Sequence, residues 1–304
     1  MRIIFMGTPD FAVSSLDALV KEGFNIVAVI TAPDKPSGRG QKVNESAVKQ
    51  YAVQNQLRVL QPQKLKDPEF ISELKSLNAD LQVVVAFRML PEIVWNMPAK
   101  GTINLHASLL PQYRGAAPIN WALINGEKYT GVTTFFLKHE IDTGDILFSE
   151  KVAIAEDETA GDLHDKLMNT GAELLVKTVK AIESANYTEI PQDNFPKENL
   201  KHAPKLFKED CLIDWNLPAL NVYNRIRGLS PYPTAYTHIL GKTLKIFKAD
   251  LEIAEHDLNP GTFQTDGKTF LKFACPDGLI SLQDLQLEGK KRMKIEDFLR
   301  GVRF

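Results

Sequence analysis

An α/β chain with a mostly parallel sheet, followed by a small antiparallel β-barrel, is what three features of the sequence predict. The chain opens on a strand, a tight turn, a helix and a second strand. The near-continuous apolar run Leu81 to Phe87 reads as a strand covered on both faces. After Trp215 the helical period gives way to short strand-like runs separated by Asn-Pro-Gly, Asp-Gly and Pro-Asp-Gly turns. The first part is Rossmann-like in outline and the second OB-like. Residues 1–189 are expected to form the larger domain, 190–207 a linker and 208–304 the barrel.

Arg2 to Met6 is the buried opening strand, and Gly7-Thr8-Pro9-Asp10 the turn into a helix carrying Phe11, Leu16, Leu19 and Val20. Thr8 is the expected N-cap, with Pro9 at the first helical position and Asp10 complementing the dipole. Asn25 to Thr31 completes a βαβ unit. This opening lacks G-x-G-x-x-G, so dinucleotide binding is disfavoured. Pro33 to Val43 reads as a polar loop, Asn44 to Gln56 as a helix, Arg58 to Leu60 as a short strand and Asp67 to Leu77 as a helix begun by Asp-Pro. Helix is expected from Gly115 to Asn125, strand from Gly131 to Leu137, and a long amphipathic helix from Thr159 to Ser184. Asn194 to Leu206, with two prolines and little periodicity, reads as the linker. The strands Thr243 to Ala249, Gly261 to Phe263, Thr269 to Ala274 and Leu279 to Leu287 then make the barrel.

With 36 Lys and Arg against 38 Asp and Glu the formal charge is −2, so any nucleic-acid contact must come from local patches. Lys290-Lys291-Arg292 with Lys294 is one, open to reading as an RNA patch or as a solvated turn. Two cysteines, Cys211 and Cys275, suggest neither a disulfide framework nor a metal cluster, and no metal is expected. No apolar run approaches the roughly 18 residues of a membrane helix, and strand-like sequence begins at Arg2. We therefore expect no leader peptide, no membrane contact and a cytoplasmic protein.

The stretch most suggestive of chemistry is GTINLHASLLPQYRGAAP, residues 101–118, with HEIDTGDI at 139–146. In the alternating run Thr102 to His106, Ile103 and Leu105 face one way while Asn104 and His106 share the other face. Asp142 lies in a turn built from Asp-Thr-Gly-Asp. An amide nitrogen and an imidazolium can donate to an oxyanion, and a carboxylate can hold the imidazole or move a proton, which is a kit for acyl transfer to an amine. By spacing alone, Asn104 and His106 could equally be polar residues of a solvated strand face and Asp142 an ordinary turn residue.

NLHASLLPQYRGAAPINWALINGE and TGVTTFFLKHEIDTGDI together resemble the core signature of the folate-dependent formyltransferases, most closely those members that formylate methionyl initiator tRNA. The GTPDFA opening and the junction at Ala203 to Leu206 and Ile213 to Trp215 resemble theirs too. The resemblance implies that Asn104, His106 and Asp142 are catalytic and that Ser108, Leu109, Leu110 and Pro111 bind 10-formyltetrahydrofolate as co-substrate. Phe87, Met89 and Leu90 are added as walls for its pterin ring, although many members carry Tyr-Gly where this chain has Phe87-Arg88. Arg88 is expected to be solvated. The basic loop with Lys35, Arg39 and Lys42 would meet the tRNA acceptor end, and a monomer is expected. His139 and His164 are read as structural. The alternatives are a formyltransferase acting on a small amine, such as phosphoribosylglycinamide or an amino sugar, and a non-catalytic RNA-binding relative.

Overall fold

A computed structural model describes residues 1–37, 42–196 and 198–302, with 35–37, 42 and 43 as backbone. Strand β1 (Arg2–Gly7) is buried from Ile3 onward and leads into helix α1 (Asp10–Lys21), which turns Phe11, Leu16 and Leu19 into the core. Gly7 is required at this junction, because a Cβ there would stand 2.6 Å from that of Ala12. Thr8 is not the cap: Pro9 occupies that position without a side-chain bond, and Asp10 accepts from the Phe11 amide at 3.0 Å.

Strand β2 (Asn25–Ile30) follows. The expected polar loop is instead bracketed by a hairpin, β3 (Lys35–Ser37) paired with β4 (Lys42–Asn44). Helix α2 (Ala47–Gln54) is capped by Ser46, whose hydroxyl accepts from the Lys49 amide. After β5 (Val59–Leu60), α3 (Pro68–Ser76) has Pro68 in its first turn and Asp67 as its cap. Strand β6 (Leu81–Val85) is buried at all five residues and ends where Ala86 turns left-handed, φ 47°, short of the expected Phe87. A single turn, α4 (Glu92–Trp95), precedes β7 (Thr102–His106), and then come β8 (Arg114–Gly115) and α5 (Pro118–Ile124). Strands β9 (Tyr129–Phe136) and β10 (Ile146–Ala153) and the long helix α6 (Ala160–Glu183) complete this part.

Seven strands share one sheet in the order β10-β9-β7-β6-β1-β2-β5. From β5 to β7 every pairing is parallel, whereas β7 meets β9 antiparallel, with His106 opposite Thr133. The sheet is therefore mostly parallel, as the near-continuous apolar pattern of β6 requires.

The later chain adds β11 (His202–Ala203), α7 (Ala219–Leu229), β12 (Ala235–Ile239), β13 (Lys242–Ile253), β14 (Phe263–Thr265), β15 (Leu271–Cys275), β16 (Gly278–Leu287), β17 (Met293–Lys294) and α8 (Ile295–Gly301). Antiparallel strands run in the order β12-β13-β16-β15-β14, with β17 on β16. Their inner face packs Leu244, Ile246, Leu282 and Leu285 against Val222, Ile226 and Leu229 of α7, a helix hidden behind the strand signals. Trp215 stacks on Phe273 at 4.6 Å, and its indole N–H donates to the Thr237 hydroxyl.

The chain divides into two compact units, one of Met1–Arg114, Gly131–Val152 and Asp165–Lys201, the other of Gly115–Thr130, Ala153–His164 and His202–Phe304. No helix among the described residues is long and apolar enough to cross a membrane.

Candidate active site

Strand β7 ends at His106, beside the point where the sheet changes from parallel to antiparallel pairing, and α/β sheets hold their ligands outside the carboxyl ends of the strands. Leu105 lies against Gly171 of α6, so Asn104 and His106, one residue to either side, face the opposite surface. The His106 ring is 7% exposed. Its Nε2 lies 2.9 Å from the Tyr113 carbonyl, which can only accept, so this nitrogen carries a proton. Nδ1 is left to face Asp142 Oδ2 at 3.8 Å. A proton on Nδ1 would therefore lie between the ring and a carboxylate. Asn104 is half-buried, and among the described residues its carboxamide makes no hydrogen bond to the protein.

The carboxylate arrives on a tightly constrained turn. Asp142 is left-handed, φ 56°, a conformation that a short polar side chain tolerates better than most. Gly144 then passes so close to β9 that a Cβ would sit 1.5 Å from the Phe136 carbonyl oxygen. The Phe136 amide donates to the Asp145 carbonyl, and Lys138 pairs with the Asp145 carboxylate at 2.7 Å. Buried Gln192 donates to the carbonyls of Asp142 and Gly144. His139 is set apart from the ring of His106 by its own partners, Glu92 at 3.0 Å and the edge of Trp95.

The segment expected to bind folate divides in two. Ser108 is fully buried and donates to the Gln112 carbonyl at 2.6 Å, while its own carbonyl accepts from Thr133. Leu110 packs with Phe135 and Ile146, and Pro111 is buried as well. Leu109 is half-buried and lies over Gly131. A ligand on this segment would meet backbone and Leu109 rather than the serine hydroxyl.

Phe87 and Leu90 pack on the cluster of Ile4, Met6, Ile30 and Val84. Leu137 packs against both that cluster and the one around Leu110. Met89 is 74% exposed, and Ile93 of α4 and Ile141, next to Asp142, are also largely exposed, leaving three apolar side chains in solvent. Arg88 is not solvated: its guanidinium donates to the carbonyls of Pro62 and Gln63, and burial lowers its pKa.

Lys35 and Lys42 lie on the two paired strands β3 and β4, where Lys35 pairs with Asn44 and Ser37 with Lys42; Arg39 lies outside the described residues. The root of the hairpin is pinned by Asp34, which accepts from Lys49 and from Gln61 at 2.8 Å. The Lys49 ammonium, with Gln61, holds the Asp34 carboxyl below the usual carboxylate range. In the barrel the basic cluster splits. Arg292 and Lys294 bind Asp284, with Arg292 also lying over the Phe247 ring, whereas Lys290 and Lys291 are exposed. No group of three or more His, Cys, Asp or Glu that could hold a metal occurs among the described residues.

Residues 1–179 match the formyl transferase family, and residues 205–303 match the formyl transferase C-terminal domain. The chain belongs to the formyl transferase family. This family member is 55% identical over 307 residues to the methionyl-tRNA formyltransferase of Bacteroides fragilis, covering 99% of this chain and 95% of the relative. The enzymes of that name from Parabacteroides distasonis and Flavobacterium johnsoniae are 56% and 53% identical, each over 100% of this chain and 96% and 97% of their own. Among solved structures, an N-formyltransferase from Helicobacter canadensis in complex with folinic acid and dTDP-3-aminofucose superposes with a TM-score of 0.68 at 21% identity, covering 96% of this chain and 99% of that one. HypX from Aquifex aeolicus, in complex with tetrahydrofolic acid, gives 0.67 at 18%, covering 99% of this formyl transferase and 48% of HypX. At those identities the two share its fold.

Gln192 and the Tyr113 carbonyl went unnoticed in the sequence. Gln192 lies outside the quoted motifs and acts from 50 residues beyond the turn it holds, while Tyr113, inside the 101–118 stretch, acts through its backbone.

Proposed function

We propose that this chain transfers the formyl group of 10-formyltetrahydrofolate to the α-amine of methionine esterified to initiator tRNA. The observation that carries this reading is the meeting of His106 and Asp142 at 3.8 Å beside the unengaged carboxamide of Asn104, in a chain more than half identical over its length to methionyl-tRNA formyltransferases. The co-substrate supplies an activated formyl carbon. Asn104 and the Nδ1–H of a protonated His106, whose Nε2–H is taken by the Tyr113 carbonyl, donate hydrogen bonds to the negative charge that develops on the formyl oxygen as the amine attacks. The amine nitrogen bonds to the formyl carbon, and the bond from that carbon to the folate nitrogen breaks. One amine proton leaves and one is returned to the folate nitrogen, with Asp142 positioned to relay it and to hold the ring.

We assign catalysis to residues 1–189, a connecting role to 190–207 and tRNA contact to 208–304. Lys35, Arg39 and Lys42 would meet the acceptor end, and exposed Lys290 and Lys291 would add phosphate contacts. The chain would act as a monomer in the cytoplasm. Ser108 is no nucleophile in this scheme, because its hydroxyl is turned to Gln112.

The test is formyl transfer from 10-formyltetrahydrofolate to methionyl initiator tRNA, run beside phosphoribosylglycinamide and an amino sugar. Transfer to the tRNA, with near-complete loss and near-native tRNA binding in His106→Ala, is expected. Equal or better turnover of a small amine would replace the substrate assignment, and full activity of His106→Ala would remove the catalytic one.

A further inference from the structure

Gln192 is 5% exposed, and its amide sits between two segments that approach His106 from opposite sides. Its oxygen accepts from Arg114 twice, from Nε at 3.0 Å and from the guanidinium Nη2 at 2.6 Å. Its nitrogen donates to the Asp142 carbonyl at 2.9 Å and to the Gly144 carbonyl at 2.8 Å. A carboxamide offers two lone pairs and two N–H donors, and here all four are occupied. The orientation is thereby fixed, since a flipped amide would set N–H against guanidinium donors and oxygen against two carbonyl oxygens.

Arg114 directly follows Tyr113, whose carbonyl holds His106 Nε2, and Asp142 is the carboxylate facing Nδ1. One buried amide therefore ties together the two segments between which the imidazole is held. Its own backbone is anchored on both flanks. Ile190 exchanges a pair of 2.9 Å hydrogen bonds with Ile146, and Phe195 packs on Leu110, Phe135 and Ile146. Other side chains of similar length do not do the same work. Glutamate keeps the acceptor for Arg114 but turns negative oxygen toward two carbonyls, lysine cannot accept, and methionine does neither.

We propose that Gln192 is a positioning residue for formyl transfer, setting the place of the Asp142 carboxylate relative to the His106 ring. This rests on the catalytic reading of Asp142 given above. A fixed link matters here because a displacement near 1 Å at reacting groups can cost on the order of 100-fold in rate.

The experiment compares wild type, Gln192→Met and Gln192→Glu, each also on an Asp142→Ala background. It reads kcat and both KM values for formyl transfer, together with hydrogen exchange at the amides of residues 142–146. Both single variants should lose roughly 10- to 100-fold in kcat, with the KM values within about twofold. On the Asp142→Ala background the same changes should add less than about threefold, because the group being positioned is gone. Exchange in the 142–146 turn should quicken while the melting temperature of the sheet stays near wild type. Gln192→Glu keeps the Arg114 link, so it isolates the lost donors and stands in if Gln192→Met does not fold. A kcat within about threefold of wild type in both variants, or losses of equal size on the Asp142→Ala background, would overturn the assignment. Should Asp142→Ala alone transfer formyl normally, the catalytic reading of Asp142 fails. The Gln192 link is then decided by exchange, supported by a quickened turn and refuted by an unchanged one.

Discussion

Replacing Gly144 by alanine tests whether the Asp142 turn is held where it is by contact with β9. The added Cβ would lie 1.5 Å from the Phe136 carbonyl oxygen, 2.7 Å from its carbon and 3.1 Å from the Phe135 ring. Such contacts do not fall below 3.0 Å, so the turn and strand must separate by about 1.5 Å, a large fraction of the 3.8 Å between Asp142 and His106. Strand β9 is the poorer candidate to yield, being paired to β7 along Phe136 to Thr133 with Phe135 fully buried. The movement should fall on the turn and carry the carboxylate with it. A displacement of that size is expected to lower kcat by on the order of 100-fold, equivalent to about 2.7 kcal/mol of transition-state stabilisation. The assay is formyl transfer to methionyl initiator tRNA under saturating co-substrate, with thermal melting as a control for folding. Activity of Gly144→Ala within about threefold of wild type, in a folded protein, would show that the position of this turn does not govern the reaction.

Two further outcomes bear on separate parts of the molecule. Asn104→Ala should cost roughly 10²- to 10³-fold in kcat, about 3–4 kcal/mol, with tRNA binding by filter retention unchanged, and a loss confined to KM would assign Asn104 to binding instead. In the barrel, the hydroxyl and amide of Thr269, with the amides of Lys268 and Phe270, donate to Asp266 and hold its carboxyl well below the usual carboxylate range. Ionised Asp266 therefore favours the folded state above its ordinary value of 3.8, and that contribution is lost as pH falls below it. The gap in melting temperature between wild type and Asp266→Ala should be constant at neutral pH and narrow as the buffer goes below about pH 3.8; a gap that widens in acid would contradict the sign.

What could be read from the sequence was local. The alternation of β7 put Asn104 and His106 on one face, the unbroken apolar run gave a doubly covered β6, and Asp-Pro started α3 because caps act within three residues. What escaped depends on partners far along the chain. Gln192 meets Arg114 across 78 residues and Asp142 across 50, and Arg88 finds its carbonyls 25 and 26 residues away. Ser108 was expected within the folate-binding segment, and the direction of its hydroxyl was not legible, because it depends on reaching a carbonyl four residues on. Helix α7 was missed because its flanks are rich in Pro and turn residues, and its apolar stripe of Val222, Ile226 and Leu229 shows its value only against the strands it covers.

The inward hydroxyl of Ser108 also bears on inhibition. Reagents that acylate or phosphonylate an activated serine find none presented on this loop, where the one candidate oxygen is sealed from solvent and already committed as a donor. Activity-based probes for serine hydrolases should therefore leave Ser108 unlabelled, and an inhibitor lying on this loop would hold by shape and reversible contacts rather than through that serine.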